Sequence, residues 1–533
     1  MGMVTSTILR VRFKKEKRGL VVYSRVLSAN LLGLECEKVW AEVCVENGLS
    51  NFSIVGLANQ AIKESKDRVR AAIENCGFEF PDTRITVNLT TAWLKKEGSH
   101  FDLAIAIGIL LSSGMMVPEN SIEDVAFLGE LTLDGKIEKV NGLLPMIIGL
   151  RRLGVRRYVI PQSNLAEAGL VKDIEVLPAS HLNDIISYIG GDSDAEFVRP
   201  VNSTGSIKPC YTEDFADIRG QELIKRAALI AAAGFHGMLI IGPPGVGKSM
   251  VGKRIPGILP ELTYEQQLEV TQVYSIAGKL SAEHPIITER PFRSPHRGAT
   301  QVAMIGGGKP IAPGEVTLAH QGVLFLDELA EFPSSVIESL RQPMEDGKVS
   351  IVRADGRCEF PAKFMVVAAM NPCKCGYFGD PEKKCSCTQS DRVRYLNRVS
   401  GPLLDRIDLH ISAQRPSYTD MEPAEGNRII DSASMRAKVI KAIEIQKERY
   451  KGSGIDSNSS LNAGQIQSYC VIDSEGKNLL SEAFTSWHLS ARAYHKVIKL
   501  SRTIADLDES SEIKKEHVLE ALSYRLPEKY FAR

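Results

Sequence analysis

The chain has 533 residues, 44% of them apolar and 24% charged, with 65 Lys plus Arg against 65 Asp plus Glu. That length exceeds one ordinary core and predicts two to four domains, and the composition excludes general disorder. A net charge of zero excludes a cationic field over the whole molecule, so any nucleic-acid surface has to be local, in a patch or around a pore.

In chain order, the first residues, Met-Gly-Met-Val-Thr-Ser, match the myristoylation pattern at Gly2 only weakly, with no second anchor downstream. Lys14 to Arg18 precedes an apolar stretch too short for a signal peptide. The strongest apolar run, Leu103 to Val117, is broken by Ser112, Ser113 and Gly114 and falls short of the roughly 20 residues of a spanning helix. A buried helix is expected there, with no membrane partner and residence in the cytoplasm. Up to about residue 195, apolar strands (Lys38 to Val45, Ser53 to Val55, Ile85 to Leu89) alternate with helices (Asn59 to Asn75, Phe101 to Ser112). Ile62, Val69 and Ile73 share one side of the first helix and should pack on a sheet, opposite the charged positions of Lys63 to Arg70. This is an α+β or α/β unit without a nucleotide loop. The polar stretch around Gly190 to Ser206 predicts a linker, assigned to residues 196–214.

From Phe215 the character changes. Helix Gly220 to Ala233, strand Gly237 to Ile241, a glycine-rich turn and a helix from Lys248 open a nucleotide-binding βαβ core, assigned to residues 215–417. Gly242, Pro243, Pro244, Gly245, Val246, Gly247, Lys248 and Ser249, followed by Met250, match the phosphate-loop pattern in full. Side chains at the glycines would keep the loop from wrapping phosphates with its amides. Lys248 should reach the β and γ phosphates of ATP, and Ser249 should ligate Mg2+. The apolar strand Val323 to Leu326 delivers Asp327, expected on the magnesium, and Glu328, expected to polarise the attacking water. A further strand, Phe364 to Ala368, leads to Asn371, a candidate sensor of the γ-phosphate.

Between these strands lie two additional segments. Pro291 to Pro313 is too rich in Gly and Pro for one continuous helix, and Arg293, His296, Arg297 and Lys309 make it locally basic. His296 has no partner histidine at ligand spacing and reads as a loop residue. Glu345 to Pro361 reads as a hairpin turning at Asp355 and Gly356 and decorated by Lys348, Arg353 and Arg357. Both could move on hydrolysis. Cys373, Cys375, Cys385 and Cys387 supply enough thiolates for one structural, tetrahedral Zn2+; free buried thiols and an iron–sulfur cluster are the alternatives. Arg392, Arg394 and Arg398, with Tyr395 between them, could face nucleic acid or a neighbouring subunit. Arg406 and Arg492 carry the fork that neutralises phosphate oxygens, although either alone is more often a surface ion pair. Residues 418–533 read as a helical lid, with helices at Asp431 to Tyr450, Gly476 to His488, Ala491 to Leu507 and Lys515 to Arg525, and a loop at Lys451 to Leu461.

These motifs, with Phe52 to Leu57, Lys96 to Gly98, Phe101 to Leu103, Gly129 to Leu131, Ser294 to Gly298, Ser400 to Asp408, Arg492 to His495 and Arg502 to Leu507, closely resemble the magnesium-chelatase-like AAA+ proteins of bacteria, the YifB/ComM family. The resemblance covers about residue 21 to the end and leaves 1–20 as a leader. It implies an α/β AAA+ P-loop core with a helix-2 insert at 293–313, a pre-sensor hairpin at 345–361 and a helical lid. It also implies a homo-hexamer with ATP at subunit interfaces, Arg406 as the finger offered to a neighbour, and Arg492 as the lid arginine in cis or in trans. Members active in natural transformation promote branch migration as DNA helicases in recombination, so DNA, branched or single-stranded, and recombination proteins are the implied partners. The alternative is an ATPase that remodels a protein or a chelatase-like complex.

Residues 21–195 resemble the α+β domain shared by Lon proteases and RadA, a ribosomal S5 domain 2-like fold. Gly98, Ser99, His100 and Phe101 stand where Lon-like enzymes place their serine, and Leu144 stands where they place the lysine. Without that lysine, peptidase chemistry is not expected.

Overall fold

A computed structural model describes residues 22–57, 59–90, 95–192, 195–200, 211–281, 284–353, 356–415 and 430–525. The expected leader, most of the linker and the tip of the 345–361 hairpin lie outside these residues, as does the side chain of Arg353.

Two large sheets organise the chain. The first has seven strands in the spatial order Asn51–Val55, Arg84–Leu89, Glu35–Glu46, Val22–Leu32, Val125–Phe127, Arg157–Pro161 and Glu175–Ala179. Its long hairpin, Val22–Leu32 against Glu35–Glu46, is antiparallel, and the strands from Val125 onward add in parallel. Alternation along Val22–Leu32 sends Val26 to one face and Leu27 and Ala29 to the other. The Val26 face is covered by helices Gln60–Asn75 and Asp102–Ser112, the Leu27 face by Leu143–Arg152. Helix Asp102–Ser112 is buried almost all round, as its apolar sequence requires. It ends at the expected Ser112, beyond which Gly114 turns the chain at φ +72°, and Val117 at the far end of the apolar run is exposed.

The second sheet is parallel throughout, in the order Phe292–Arg293, Val323–Leu326, Met365–Met370, Met238–Ile241 and Leu409–Ser412. Its three inner strands are apolar on both faces, as strands covered on both sides must be. Met238 and Ile240 face one core, Leu239 and Ile241 the other. The first of these cores runs without a break into the C-terminal helices Ser432–Arg449, Ser474–Ser486, Ala491–Leu507 and Lys515–Ser523. A seven-residue helix, Ala463–Tyr469, was not expected from sequence; it buries only Ile466 and so has no stripe to read.

The two sheets are joined by polar contacts through helix Tyr264–Ile276. Buried Glu167 accepts from Ser275 and from the Leu144 amide, and Lys139 donates to the Leu280 carbonyl at 2.5 Å. His100 is buried with Nε2 2.8 Å from the Ala29 carbonyl, and burial pushes its pKa down to about 4. Ser99 instead donates to Glu130.

Candidate functional site

The carboxyl edge of the parallel sheet collects the residues marked by the phosphate-loop motif, as expected for a ligand site in an open α/β sheet. Strand Met238–Ile241 releases the loop, Val323–Leu326 releases Asp327 and Glu328, and Met365–Met370 releases Asn371. Gly245 and Gly247 take φ +84° and +85°, which orients their amides into the loop at no side-chain cost. Helix Lys248–Ile258 starts at the last of these glycines. Lys248 Nζ donates to the Gly242 and Pro243 carbonyls at 2.7 and 2.9 Å and to Asn371 Oδ1 at 3.1 Å. Burial lowers its pKa to about 8, against the opposing pull of Asp327 and Glu328. Ser249 Oγ donates to Asp327 Oδ2 at 2.6 Å. A hydroxyl and a carboxylate at that separation offer two hard oxygens to one small cation, which fits Mg2+. Of the remaining loop residues, Val246 is buried, while Met250 is exposed.

Glu328 has the left-handed conformation at φ +52°, which costs a non-glycine residue about 1 kcal/mol. Its carboxylate is held 2.5 Å from the Arg297 guanidinium, a contact that sequence reasoning missed. In the sequence Arg297 shows only as one charge of a basic loop. The 293–313 segment itself folds as a short helix, Gln301–Ile305, and a tiny hairpin, Gly306–Gly307 with Ala312–Pro313. Its expected basic character is largely cancelled: Arg293 forms a two-pronged pair with Glu315 at 2.6 and 2.7 Å. His296 accepts from the Gly298 amide and remains a loop residue.

The 345–361 segment is the expected antiparallel hairpin, Lys348–Arg353 with Gly356–Pro361. Lys348 and Arg357 both pair with Glu359 on its surface. Its buried Cys358 rests on the turn at Gly33 of the first sheet, and Ile351 Cδ1 lies 3.3 Å from where a Cβ on Gly306 would sit. The two additional segments therefore touch.

Arg406 and Arg492 lie elsewhere. Arg406 precedes strand Leu409–Ser412, which runs parallel to Met238–Ile241 with Leu409 opposite Met238. It thus sits at the amino edge, a strand length of about 10 Å or more from its own phosphate loop. Arg492 comes to the same edge from the lid helix Ala491–Leu507, and both arginines meet one carboxylate, Glu345 Oε1, at 2.6 and 3.4 Å. One turn along that helix, Lys496 reaches buried Asp408 at 2.7 Å, and His236 reaches the same carboxylate at 2.9 Å. Burial works against the charge on Asp408, yet Lys496 and then His236 hold its pKa well below the usual carboxylate range. This clamp ties the chain two residues after Arg406 to the helix one turn after Arg492.

Cys373, Cys375, Cys385 and Cys387 converge with all four sulfurs within 4.8 Å of one another. The three closest pairs are 3.3, 3.5 and 3.6 Å apart. A tetrahedron with metal–sulfur bonds of 2.3 Å has sulfurs about 3.8 Å apart, so the group is able to hold one metal ion. The lobe leans on the phosphate loop, since a Cβ on Gly376 would sit 2.9 Å from Pro244 Cδ. The basic face beyond it differs from expectation. Tyr395 is buried and offers no stacking surface, Arg392 lies 4.2 Å over the Phe378 ring, and Arg398 pairs with Glu331.

Sequence profiles of the magnesium chelatase subunit ChlI match residues 41–164 and 214–421, and the profile of its C-terminal part matches 430–525. The competence protein ComM of Haemophilus influenzae is 40% identical over 507 residues, covering 95% of this chain and 97% of that protein. The chain belongs to the YifB/ComM family of magnesium-chelatase-like AAA+ ATPases. Another similar member is the uncharacterised YifB of Salmonella typhimurium, 38% identical over 93% of this chain and 95% of its own length. A Lon protease of Citrifermentans bemidjiense is 27% identical over 31% of the chain and 21% of its own length. As a YifB/ComM protein this is an ATP-driven AAA+ enzyme, and among its described residues no helix is long and apolar enough to cross a membrane.

Proposed function

We propose that this YifB/ComM protein is a DNA motor. It works as a homo-hexameric ring that hydrolyses ATP to drive branch migration or helicase activity in homologous recombination and natural transformation. The observation that carries the reading is the Arg297–Glu328 pair, with the insert that bears Arg297 packed against the hairpin. A polyanion that draws Arg297 away frees Glu328 to polarise water, so hydrolysis becomes tied to an occupied insert. The competence protein ComM, as a relative, supports the setting in transformation.

In this reading Lys248 and the loop amides hold the β and γ phosphates, and Asn371 senses the γ-phosphate from beside Lys248. Ser249 and Asp327 hold Mg2+, which neutralises phosphate charge. Glu328 takes the proton of the attacking water. Arg406 and Arg492 serve a neighbour's ATP, since both lie at the edge opposite their own loop. The four cysteines hold a structural Zn2+ that braces the loop through Gly376 and Pro244. Residues 21–195 form a Lon/RadA-like domain in which Leu144 and buried His100 leave no catalytic dyad, 215–417 form the core and 418–533 the lid.

The test is the ATPase rate without DNA, with single-stranded DNA and with a four-way junction, using Glu328→Gln as the blank. Stimulation greatest with the junction is expected. A DNA-independent rate with no junction binding at low salt would favour remodelling of a chelatase-like complex, the second reading, which the magnesium chelatase profiles support. Zinc content per chain, with Cys385→Ser as control, tests the metal.

A further inference from the structure

Glu345 has no place in the hydrolytic scheme above, yet both arginines of the amino edge are tied to it. Arg406 contributes a Nη2 contact at 2.6 Å and Arg492 one at 3.4 Å, both to the same oxygen. The Arg406 side chain is 9% exposed, whereas those of Arg492 and Glu345 are 59% and 44% exposed, so the group opens to one side. Two guanidinium groups against one carboxylate leave an excess positive charge. A phosphate, with more charge and more acceptor oxygens than Glu345, competes for both forks.

The position of Glu345 in the chain is equally pointed. It lies in the short helix Arg341–Asp346, and after Gly347, whose carbonyl accepts from the Ala362 amide at 2.8 Å, the hairpin Lys348–Arg353 and Gly356–Pro361 begins at once. The Glu345 carboxylate therefore lies three residues before the root of the hairpin, where the paired and buried Val349 and Phe360 hold its two strands together.

We propose that Glu345 is a positioning residue that reports a neighbouring subunit's ATP to the hairpin. Before ATP fills the adjacent site, Glu345 stands in for the γ-phosphate and keeps Arg406 and Arg492 together. When the neighbour's phosphates take the two arginines, Glu345 is released and the hairpin root with it. The inference rests on the placement of both arginines in trans proposed above, and it does not require DNA to be the substrate.

The test uses the full-length protein at ring-forming concentration without DNA. In a Glu328→Gln background, which holds ATP unhydrolysed, ATP is expected to change hydrogen exchange of the hairpin strand amides 348–353 and 356–360 at least threefold. Adding Glu345→Gln, which removes charge but little shape, is expected to erase that difference, and Glu345→Asp to restore part of it. An ATP-dependent change of equal size with Glu345→Gln overturns the proposal, as does no change in the Glu328→Gln protein. In steady state Glu345→Gln alone is expected to raise turnover about threefold and lower KM for ATP, because no ion pair has to break before the arginines engage; a fall in turnover overturns the relay. Arg406→Ala separates the two levels of the argument: loss of turnover supports the trans placement, and wild-type turnover ends both that placement and the relay.

Discussion

The two edges of the parallel sheet hold opposite kinds of chemistry. At the carboxyl edge, a lysine, a hydroxyl, two carboxylates and an amide gather around a glycine-rich loop, each tied to the next by hydrogen bonds such as Lys248 to Asn371 and Ser249 to Asp327. At the amino edge Arg406 and Arg492 meet on Glu345, with the Asp408–Lys496 clamp behind them. In the proposed scheme one edge binds and activates, and the other carries the cations that stabilise charge as it develops. A strand length separates them, so under the proposed scheme a chain on its own holds two half-sites, and the proposed ring is the arrangement that joins them.

The largest expected effect comes from emptying the amino edge. Arg406→Ala should lower kcat about a thousandfold, roughly 4 kcal/mol of transition-state stabilisation, while ATP affinity changes only a few-fold. Steady-state kinetics with a direct nucleotide-binding assay separates these. Next is the clamp: Lys496→Met leaves Asp408 buried with only His236, which should cost about 3 kcal/mol, read as earlier melting of the ATPase portion. A loss confined to activity, with unchanged melting, would show that the clamp positions the arginines without holding the lid.

The carboxyl edge has its own signature. Lys248 sits at a pKa of about 8 because burial disfavours its charge, and neighbouring phosphates favour the charged form. ATP binding is therefore complete below pH 8 and weakens as pH rises through it, with Kd about tenfold larger at pH 9 than at pH 7. Smallest is the Arg297 contact. Arg297→Ala should raise the basal rate about threefold and remove stimulation by DNA, measured in the same assay.

The contrast between the edges also explains what could be read in advance. The phosphate loop was legible because positive φ at Gly245 and Gly247 and the needs of phosphate dictate residue types at fixed spacing. The strands around it were legible because double burial demands apolar runs. The amino edge was half legible: Arg406 and Arg492 were found through resemblance, but Glu345 joins them across elements distant in the chain, and nothing in its local sequence marks it. The Arg297–Glu328 pair spans 31 positions and was invisible for the same reason. Tyr395 misled because an aromatic among arginines looks exposed; in helix Gln389–Leu396 it faces the core with Leu396, while Arg392 and Arg394 do not. The helix Asp102–Ser112 was legible to its end because Ser112, Ser113 and Gly114 break the apolar run, and Gly114 turns the chain there.

The central claim is that the two half-sites are completed between copies, and mixing two inactive proteins tests it most directly. Glu328→Gln keeps the arginine edge and loses the water-activating carboxylate; Arg406→Ala does the reverse. Each alone should be inactive, and an equimolar mixture should recover a clear fraction of wild-type ATPase, because an intact Arg406 then faces an intact Glu328 at some interfaces. A mixture no more active than its parts, or Arg406→Ala hydrolysing ATP alone at the wild-type rate, would contradict the account.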